Sequence, residues 1–575
     1  MNERVRTLLV DARPVDHPTA RQRGIGRYVT GLLEGLVAID APVIALYGSD
    51  VEAETLAAAI PGLSMQRWGA QVVRDHAEPG TWYLATQLML HPVSLDPIPS
   101  IITQARLPVA AVVYDVIPYR FPETYLADPN ARRQAQLRAP LARTVDTLLA
   151  ISEFAADTAA AELNFPRTRI GMIGAGVDAK FARPLADPRP RSARVIPAEV
   201  GPYVVAVTGG DDRKNTEGLI RAWALADRTL TDPTLATSAP AGPHHLVIAT
   251  AHTQDVLKRW EACAVAVGIR DRVIFTGALD DDELVAVLQG AALAVMPSFE
   301  EGFGLPVLEA AACSVPAILS NLTSLPEVLD EPTACFDPHD PRAIADAIVR
   351  ALTDDAHRAI LLAAGDRAVQ RWTWPHVATA TIDALESCGP RWSQRVVPPR
   401  RSVAFAGAFA GSASALGDDN EAVVEAFGRI RSDTEHVVFV DAATSPEPTH
   451  ANPNRWPVRS LGRYVKPWDF DHIVAILGSA PLHLATSEMA RRVPCHLWIH
   501  DDALVGVQYG ANLRALSIAR SVIVASDDAA ERVRRATDRQ CPVLVVSGTI
   551  DEASAALAEW FDDVKSLDPS TIRHR

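Results

Sequence analysis

The sequence predicts an α/β protein: two doubly wound units built on parallel sheets, followed by a third α/β unit that resembles the first of them. Three observations carry this. Short apolar runs alternate with amphipathic stretches along the chain, the pattern of buried parallel strands joined by helices. That alternation is broken at "RPLADPRPRSARVIPAEVGP" (183–202) and "GPRWSQRVVPPRRS" (389–402), where proline is dense and periodicity is lost. At 575 residues the chain also exceeds what one core supports, since domains run to roughly 100–200 residues.

In the first unit, expected over 1–185, "RTLLVDA", "PVIALYG", "PVAAVVYDV" and "TLLAIS" read as strands and "GRYVTGLLEGLVAI" as a connecting helix. The second, over 200–387, repeats the pattern with "PYVVAVTGG", "HHLVIATA", "RVIFTG" and "AALAVMPS". In the third, over 402–560, "RSVAFAGA", "EHVVFVDA", "HIVAILG", "CHLWIHDD" and "SVIVAS" mark a folded tail. This tail echoes the first unit: "VPCHLWIHDD" sits like "LPVAAVVYDV", and the stretch from Ser526 to Asp551 follows that from Ser152 to Asp178 nearly step for step. A single repeat of domain size reads as a duplicated half. Residues 229–245 and 445–460 are expected as long surface loops.

Apolar residues make up 48% of the chain and charged residues 22%, which is globular composition. With 55 basic against 70 acidic side chains the net charge is -15, and no basic patch opposes it, so nucleic acid is not an expected partner. Six scattered cysteines without a CxxC fit reduced thiols in a cytosol and argue against structural zinc. No run approaches the roughly 20 apolar residues of a membrane span, and the amino terminus lacks the apolar core of a signal peptide. A cytoplasmic protein is expected, with peripheral contact at the inner face of a membrane left open.

The densest chemistry lies in "AALAVMPSFEEGFGLPVLEA". Here a strand gives way to Gly302 and Gly304, which can aim bare amides at a ligand, and Pro306 suits the start of a helix. Such a helix N-terminus holds a phosphate without a buried lysine. Glu301 before the helix and Glu309 within it are acceptors for sugar hydroxyls and a ribose diol, each charge-assisted bond contributing roughly 1.5–3 kcal/mol. The alternative is a βα turn with acids that merely compensate the helix dipole.

Two other glycine turns add to it. In "VTGGDDRKNTEGLIRAW" a strand, a turn and a helix form an anion nest with Arg213 and Lys214 at its rim, and Lys214 can neutralise a departing diphosphate. A solvated basic turn is the alternative. In "RQRGIGRYVTGLLEGL" Gly24 and Gly26 precede a helix, but Val29 stands where a dinucleotide fingerprint needs its third glycine. Close approach to a bound sugar or phosphate competes there with a plain loop.

Taken together, "PSFEEGFGLPVLEA", "GIGRY", "YDVIPYRFPETYL", "AISEF", "GAGVD", "DDRKN" and "VIFTGALDDDELVAVL" resemble the family-4 retaining glycosyltransferases of the GT-B fold, in order and over residues 1 to about 387. Within them the chain looks closest to bacterial mannosyl- and rhamnosyltransferases of surface-polysaccharide assembly. The resemblance implies a hexosyltransferase with two Rossmann-like domains, the second holding a nucleoside-diphosphate sugar and the first admitting a saccharide or lipid-linked saccharide acceptor. It implies that Glu301 contacts the transferred sugar, Glu309 the ribose and Lys214 the diphosphate, while amides around Phe303, Gly304 and Leu305 reach sugar and phosphate. GDP-mannose is the leading donor, as co-substrate, and no cofactor is expected.

Two departures stand out. Where relatives often carry an arginine after a glycine, this chain has Gly209 and Gly210, which leaves Arg213 as the stand-in. Where many have His-Asp, it has Tyr114-Asp115; Asp115 then either orients the substrate or caps a strand end. No protein nucleophile is evident, and retention would use the departing diphosphate to take the acceptor's proton. Hinges near 183–202 and 375–390 would close the cleft.

"LDDDELVAVL" contains Asp280 and Asp282 at the spacing of metal-dependent transferases, but a helix cap is the preferred reading and no catalytic metal is expected. His500, Asp501 and Asp502 in "IHDD" read as a strand-end loop rather than a metal site. Lacking a second "EGFG", residues 402–575 are expected to be catalytically silent and to serve acceptor binding, a protein partner or oligomerisation. A non-catalytic carbohydrate-binding or assembly scaffold, and a sugar-nucleotide epimerase, are the rival functions.

Overall fold

The computed structural model describes residues 4–15, 24–89, 97–182, 195–197, 200–231, 244–390, 401–407, 416–431, 434–440, 455–457, 470, 472–477, 486, 489–490, 495–499, 516, 519–537, 541–546 and 549–563. The chain divides into two compact units, one of residues Met1–Gln66, Pro79–Ile98 and Pro108–Gln394, the other of Arg67–Glu78, Pro99–Leu107 and Arg395–Arg575.

The first unit contains two sheets. In the first sheet the strands are β1 (Thr7–Asp11), β2 (Val43–Tyr47), β3 (Met65–Arg67), β4 (Thr81–Ala85), β5 (Val109–Val113), β6 (Thr147–Ala150) and β7 (Ile170–Met172), ordered β3-β2-β1-β4-β5-β6-β7. The second orders β8 (Tyr203–Ala206), β9 (His245–Ile248), β10 (Val273–Phe275), β11 (Leu293–Met296), β12 (Ala317–Ser320) and β13 (Cys335–Phe336) as β10-β9-β8-β11-β12-β13. Their pairings run parallel, as in β1 with β4 and β8 with β11. Both sheets reverse their strand order beside the first strand, and the crevice outside the carboxyl ends of strands at such a switch point is where open α/β sheets bind ligands.

The helix Trp374–Cys388 leaves the second sheet's side of this unit and packs on the helix Ile25–Ala38 that follows β1. The approach is close because Gly31 and Gly35 present no side chain: a Cβ on Gly31 would lie 2.0 Å from the Trp374 ring, and one on Gly35 would lie 2.2 Å from the Trp374 carbonyl. Glu386 near the end of the returning helix accepts from the backbone N–H of Val5 at 3.0 Å. The stretch near 375–390 expected as a hinge is, up to Cys388, a continuous helix. Most of the other expected hinge, 183–202, lies outside the described residues.

In the second unit β14 (Arg401–Gly407), β15 (Thr434–Val440), β16 (Arg455–Pro457), β17 (His472–Leu477), β18 (His496–Ile499), β19 (Ser521–Val524) and β20 (Val543–Val545) pair parallel in the order β16-β15-β14-β17-β18-β19-β20. This reproduces the order of the first sheet position by position, the relationship the internal echo in the sequence suggests. Val403 and Phe405 pack on one face of β14 and Ala404 and Ala406 on the other, so the sheet is buried on both sides. The echo extends to helix caps: Ser152 Oγ accepts from the N–H of Ala155 at 2.9 Å, and Ser526 Oγ from that of Ala529 at 3.1 Å. Part of the loop expected over 445–460 is strand β16, because its backbone pairs with β15. All six cysteines are free, and among the described residues no helix is long and apolar enough to cross a membrane.

Candidate active site

Two loops leave the carboxyl ends of β8 and β11, the neighbours at the switch point of the second sheet. After β8 the chain makes a 3-10 turn over Asp212–Lys214, capped by Asp211, and Asn215 then takes a left-handed conformation at φ 54°. Asn215 Nδ2 donates to the carbonyls of Pro297 at 3.1 Å and Pro338 at 2.9 Å, which pins the turn to the end of β11. The N–H of Phe299 donates to the Arg213 carbonyl at 2.7 Å. The "DDRKN" and "EEGFG" segments, far apart in sequence, therefore form one rigid surface.

On that surface Lys214 Nζ lies 2.6 Å from Glu301 Oε1, and Arg213 Nη1 lies 3.2 Å from Glu301 Oε2 and 2.8 Å from the Glu300 carbonyl. Gly304, at φ 117°, caps the helix Leu305–Ala312 with no side-chain partner for its first N–H groups. Pro306 lies in the first turn, as the sequence suggests. Glu309 points from this helix to Arg27 Nη2, at 3.0 Å. Phe303 is buried edge-on against Trp372, whose Nε1–H donates to the Val328 carbonyl.

The first sheet's loops meet this surface. A Cβ on Gly302 would lie 2.2 Å from the Tyr114 carbonyl and 3.2 Å from Asp115 Cβ, so only glycine permits the approach. Ser152 Oγ donates to the Gly302 carbonyl at 2.7 Å. The Glu327 carboxylate accepts from the N–H groups of Glu153 at 2.8 Å and Phe154 at 2.9 Å, at the positive end of a first-half helix. Tyr125 donates to Asp211 at 2.7 Å, and Arg120 pairs with Glu300 and Lys180 with Asp281. Asp115 Oδ1 accepts from the N–H of Ile117 at 3.1 Å, a strand-end turn. Asp115 also lies beside Glu300 and Glu301 in a narrow crevice; of the two roles the sequence left open, the strand-end turn is the one its hydrogen bond displays.

A sequence profile described as "Glycosyl transferases group 1" matches residues 192–367. The serotype-specific mannosyltransferase WbdA of Escherichia coli is 32% identical over 276 residues, 48% of this chain and 33% of that protein. The O-antigen chain mannosyltransferase B of Escherichia coli is 32% identical over 286 residues, 48% of this chain and 68% of its own length. The chain belongs to the group 1 glycosyltransferases. An MMP alpha-(1->4)-mannosyltransferase of Mycolicibacterium hassiacum is 27% identical over 260 residues, 44% of this chain and 56% of that protein. The match spans only about a third of the length of WbdA.

In this group 1 family member the carboxylates differ in electrostatic setting. Burial works to raise the Glu301 carboxyl, but Lys214 and Arg213 outweigh it and hold the group below the ordinary glutamate value. Burial prevails at Glu309, where Arg27 and Lys180 offset it only in part, and the carboxyl is raised. Glu300 is raised by burial too, against the opposing effect of Arg120. Arg213 stays firmly protonated, since Glu301 and Asp211 outweigh its desolvation. These compensations make the locality nearly neutral within a chain of net charge -15.

Of the site residues named from the sequence, the structure brings Arg213, Lys214, Glu301 and Gly302 together with Asp115, and sets Gly304 and Leu305 at the start of the following helix and Glu309 within it, paired with Arg27. Gly24 caps the first-half helix at φ 77°. Gly26 lies against its own chain, where a Cβ would be 2.7 Å from the Val15 carbonyl, rather than presenting its backbone to open space. Asp280 caps the helix Asp281–Gln289 in a reciprocal box with Glu283, as expected. His500, Asp501 and Asp502 lie outside the described residues. Sequence reasoning passed over Arg27, Arg120, Glu300 and Glu327. Arg27 stands inside the quoted "GIGRY" and Glu300 beside Glu301, yet their partners are 282 and 180 residues away and no local spacing encodes the pairing.

Proposed function

We propose that the protein transfers a hexose, with mannose as the first assignment, from a nucleoside-diphosphate sugar to a glycan or lipid-linked saccharide acceptor in polysaccharide assembly, with retention at the anomeric carbon. The observation that carries this reading is the cluster at the switch point: one buried carboxylate, Glu301, joined to Lys214 and Arg213 beside the uncapped helix of Gly304. Such a cluster offers amides and cations to a diphosphate and acids to the hydroxyls on either side of it. The names of the relatives, mannosyltransferases of serotype-specific and O-antigen chains, support mannose and GDP-mannose as the donor.

In this mechanism the residues over 200–387 hold the donor and those over 1–185 the acceptor. Lys214, with Arg213 beside it, stabilises charge that grows on the diphosphate as the glycosidic C–O bond breaks. Glu301 positions the transferred sugar and Glu309 the ribose. Backbone N–H groups of Gly302, Phe303, Gly304 and Leu305 reach sugar and phosphate, with Gly24 bounding the cleft. The acceptor oxygen bonds to the anomeric carbon on the face the diphosphate leaves, and its proton passes to a departing phosphate oxygen. Asp115 orients the acceptor hydroxyl. Positive charge at the leaving group comes from side chains and amides, with no metal required.

The 402–560 region repeats the strand order of the first sheet, carries no "EGFG" turn of its own, and is assigned a non-catalytic role in binding an acceptor, a protein partner or a second copy. Action in the cytoplasm, with peripheral contact at the inner membrane face, suits a lipid-linked acceptor. The test is incubation with a panel of nucleoside-diphosphate sugars, following nucleotide release and the anomeric proton of the product by NMR. Slow release from GDP-mannose and an axial-to-axial outcome at C1 support the reading. A protein that binds no nucleotide and releases none is the carbohydrate-binding scaffold instead.

A further inference from the structure

Arg27 stands where the helix dipole disfavours a cation. The helix Ile25–Ala38 begins after Gly24 with no side-chain cap and no acid in its first turn, and Arg27 belongs to that turn. A positive side chain there adds to the positive end of the dipole instead of opposing it. The helix Leu305–Ala312 of the other half also starts without a side-chain cap. Arg27 Nη2 donates to Glu309 Oε1 at 3.0 Å, so a single side-chain pair bridges two uncapped helices, one from each half.

The pair leaves donors and an acceptor for a ligand. Among the described residues this is the one hydrogen bond that either side chain makes, so Glu309 Oε2 and the rest of the Arg27 donor fork remain. The Phe181 ring supports the guanidinium at 5.5 Å. Of the cations bonded to Glu301 or Glu309, Arg27 is the most exposed, at 40% of its side chain against 24% for Arg213 and 18% for Lys214. Glu309 is also the acid assigned to the ribose, and a diol carries no charge. A ribose that displaced Arg27 by itself would leave a guanidinium without its counter-charge. A ligand that brings an anion along with the diol meets both groups at once.

We infer that Arg27 is the first half's contribution to the donor site: when a nucleoside-diphosphate sugar binds, the guanidinium passes from Glu309 to the diphosphate and leaves Glu309 to the ribose. The inference rests on the transferase reading above and deepens it. The exchange keeps the charges met, because the guanidinium gains phosphate oxygens while Lys180 still offsets the Glu309 carboxylate. A planar fork takes two phosphate oxygens together, so Arg27 favours a diphosphate over a bare nucleoside.

The experiment titrates the full chain with GDP and UDP by calorimetry, and with the nucleoside of whichever binds, guanosine or uridine, by saturation-transfer NMR. Arg27→Gln is compared with wild type, and a thermal scan reports folding. Diphosphate affinity should fall about 10- to 100-fold, the loss of one or two charge-assisted bonds. Nucleoside affinity should stay level or rise, because Glu309 has lost a competitor. Should the single variant fail to fold, Arg27→Gln/Glu309→Gln, which strands no buried carboxylate, is set against Glu309→Gln, and the same fall in diphosphate affinity is expected. Diphosphate affinity that is unchanged or raised on removing Arg27 would overturn the inference. So would nucleoside affinity that falls in step with it, since Arg27 would then act only by holding Glu309. A wild type that binds no nucleotide would sink the transferase reading and this inference with it.

Discussion

Lys214 Nζ and Glu301 Oε1 lie 2.6 Å apart in the switch-point cluster, so the cation assigned to the diphosphate and the acid assigned to the sugar position one another. Removing either partner changes the other's environment. In Lys214→Met, Glu301 keeps only Arg213 as a countercharge in a buried position. We expect about 1–3 kcal/mol of lost stability, below the range for a fully buried pair because Lys214 is partly solvated. Turnover should fall at least about a hundredfold. Adding Glu301→Gln should recover melting temperature but not turnover. Because the Glu301 carboxyl is held low, its contribution is present above the unfolded glutamate value and fades as pH falls through the folded one. The gap in melting temperature between wild type and Lys214→Met should therefore narrow in acid.

Glu309 is the opposite case. Burial raises its carboxyl, so the ionised form is penalised by the fold at neutral pH, and the penalty disappears as pH falls through the raised value. Glu309→Gln should leave melting temperature unchanged or higher at neutral pH. It should weaken nucleoside-diphosphate binding by about 10- to 100-fold, the loss of charge-assisted acceptance from a diol. Calorimetry and thermal scans on one preparation check both.

Gly302 separates folding from closure. A methyl group there would lie 2.2 Å from the Tyr114 carbonyl, which belongs to the first sheet's side of the cleft. Gly302→Ala should melt within a few degrees of wild type yet lose most of its transfer activity, because the loops after β5 and β11 can no longer meet. Crosslinking between cysteines introduced at Glu153 and Glu327, which meet across the two sides, would report the loss of approach directly.

The second unit carries a pH-sensitive row at the amino ends of three adjacent strands. His472 Nδ1 lies 3.1 Å from His496 Nε2, and His496 Nδ1 lies 2.5 Å from Ser521 Oγ. Burial, with His472 and Arg520 nearby, pushes the His496 imidazole well below its ordinary value. Neutral His496 is thus favoured in the fold. Stability should be intact above the unfolded histidine value of about 6.5 and decline as pH falls below it. In His496→Gln, circular dichroism melts between pH 7.5 and 5 should lose this dependence.

The α/β class, many of the strands, though not β4 at the first sheet's switch point, and the turns at Gly302, Gly304 and Lys214 were legible in the sequence, because hydrophobic period, glycine and helix-start chemistry are local signals. The strand order of the third sheet was foreshadowed by the echo of "AISEF" in "VASDD", where Ser152 and Ser526 cap equivalent helices. What pairs with those turns was not legible. Arg27 reaches Glu309 and Arg120 reaches Glu300 only after two separate sheets have folded and met, and an arginine beside a glycine turn looks the same whether it faces solvent or a carboxylate 282 residues away. The helix at 374–388 was not read from the sequence, where that stretch was noted only as a hinge. Its proline sits in the first turn, where it starts a helix instead of breaking one.

The most direct test of the central claim is calorimetric titration of GDP into wild type and the doubly neutralised variant Lys214→Met/Glu309→Gln, alongside turnover of GDP-mannose. Wild type should bind, and the double variant should lose at least about a hundredfold in affinity and all measurable turnover while remaining folded. Unchanged affinity and turnover in that variant would contradict the claim.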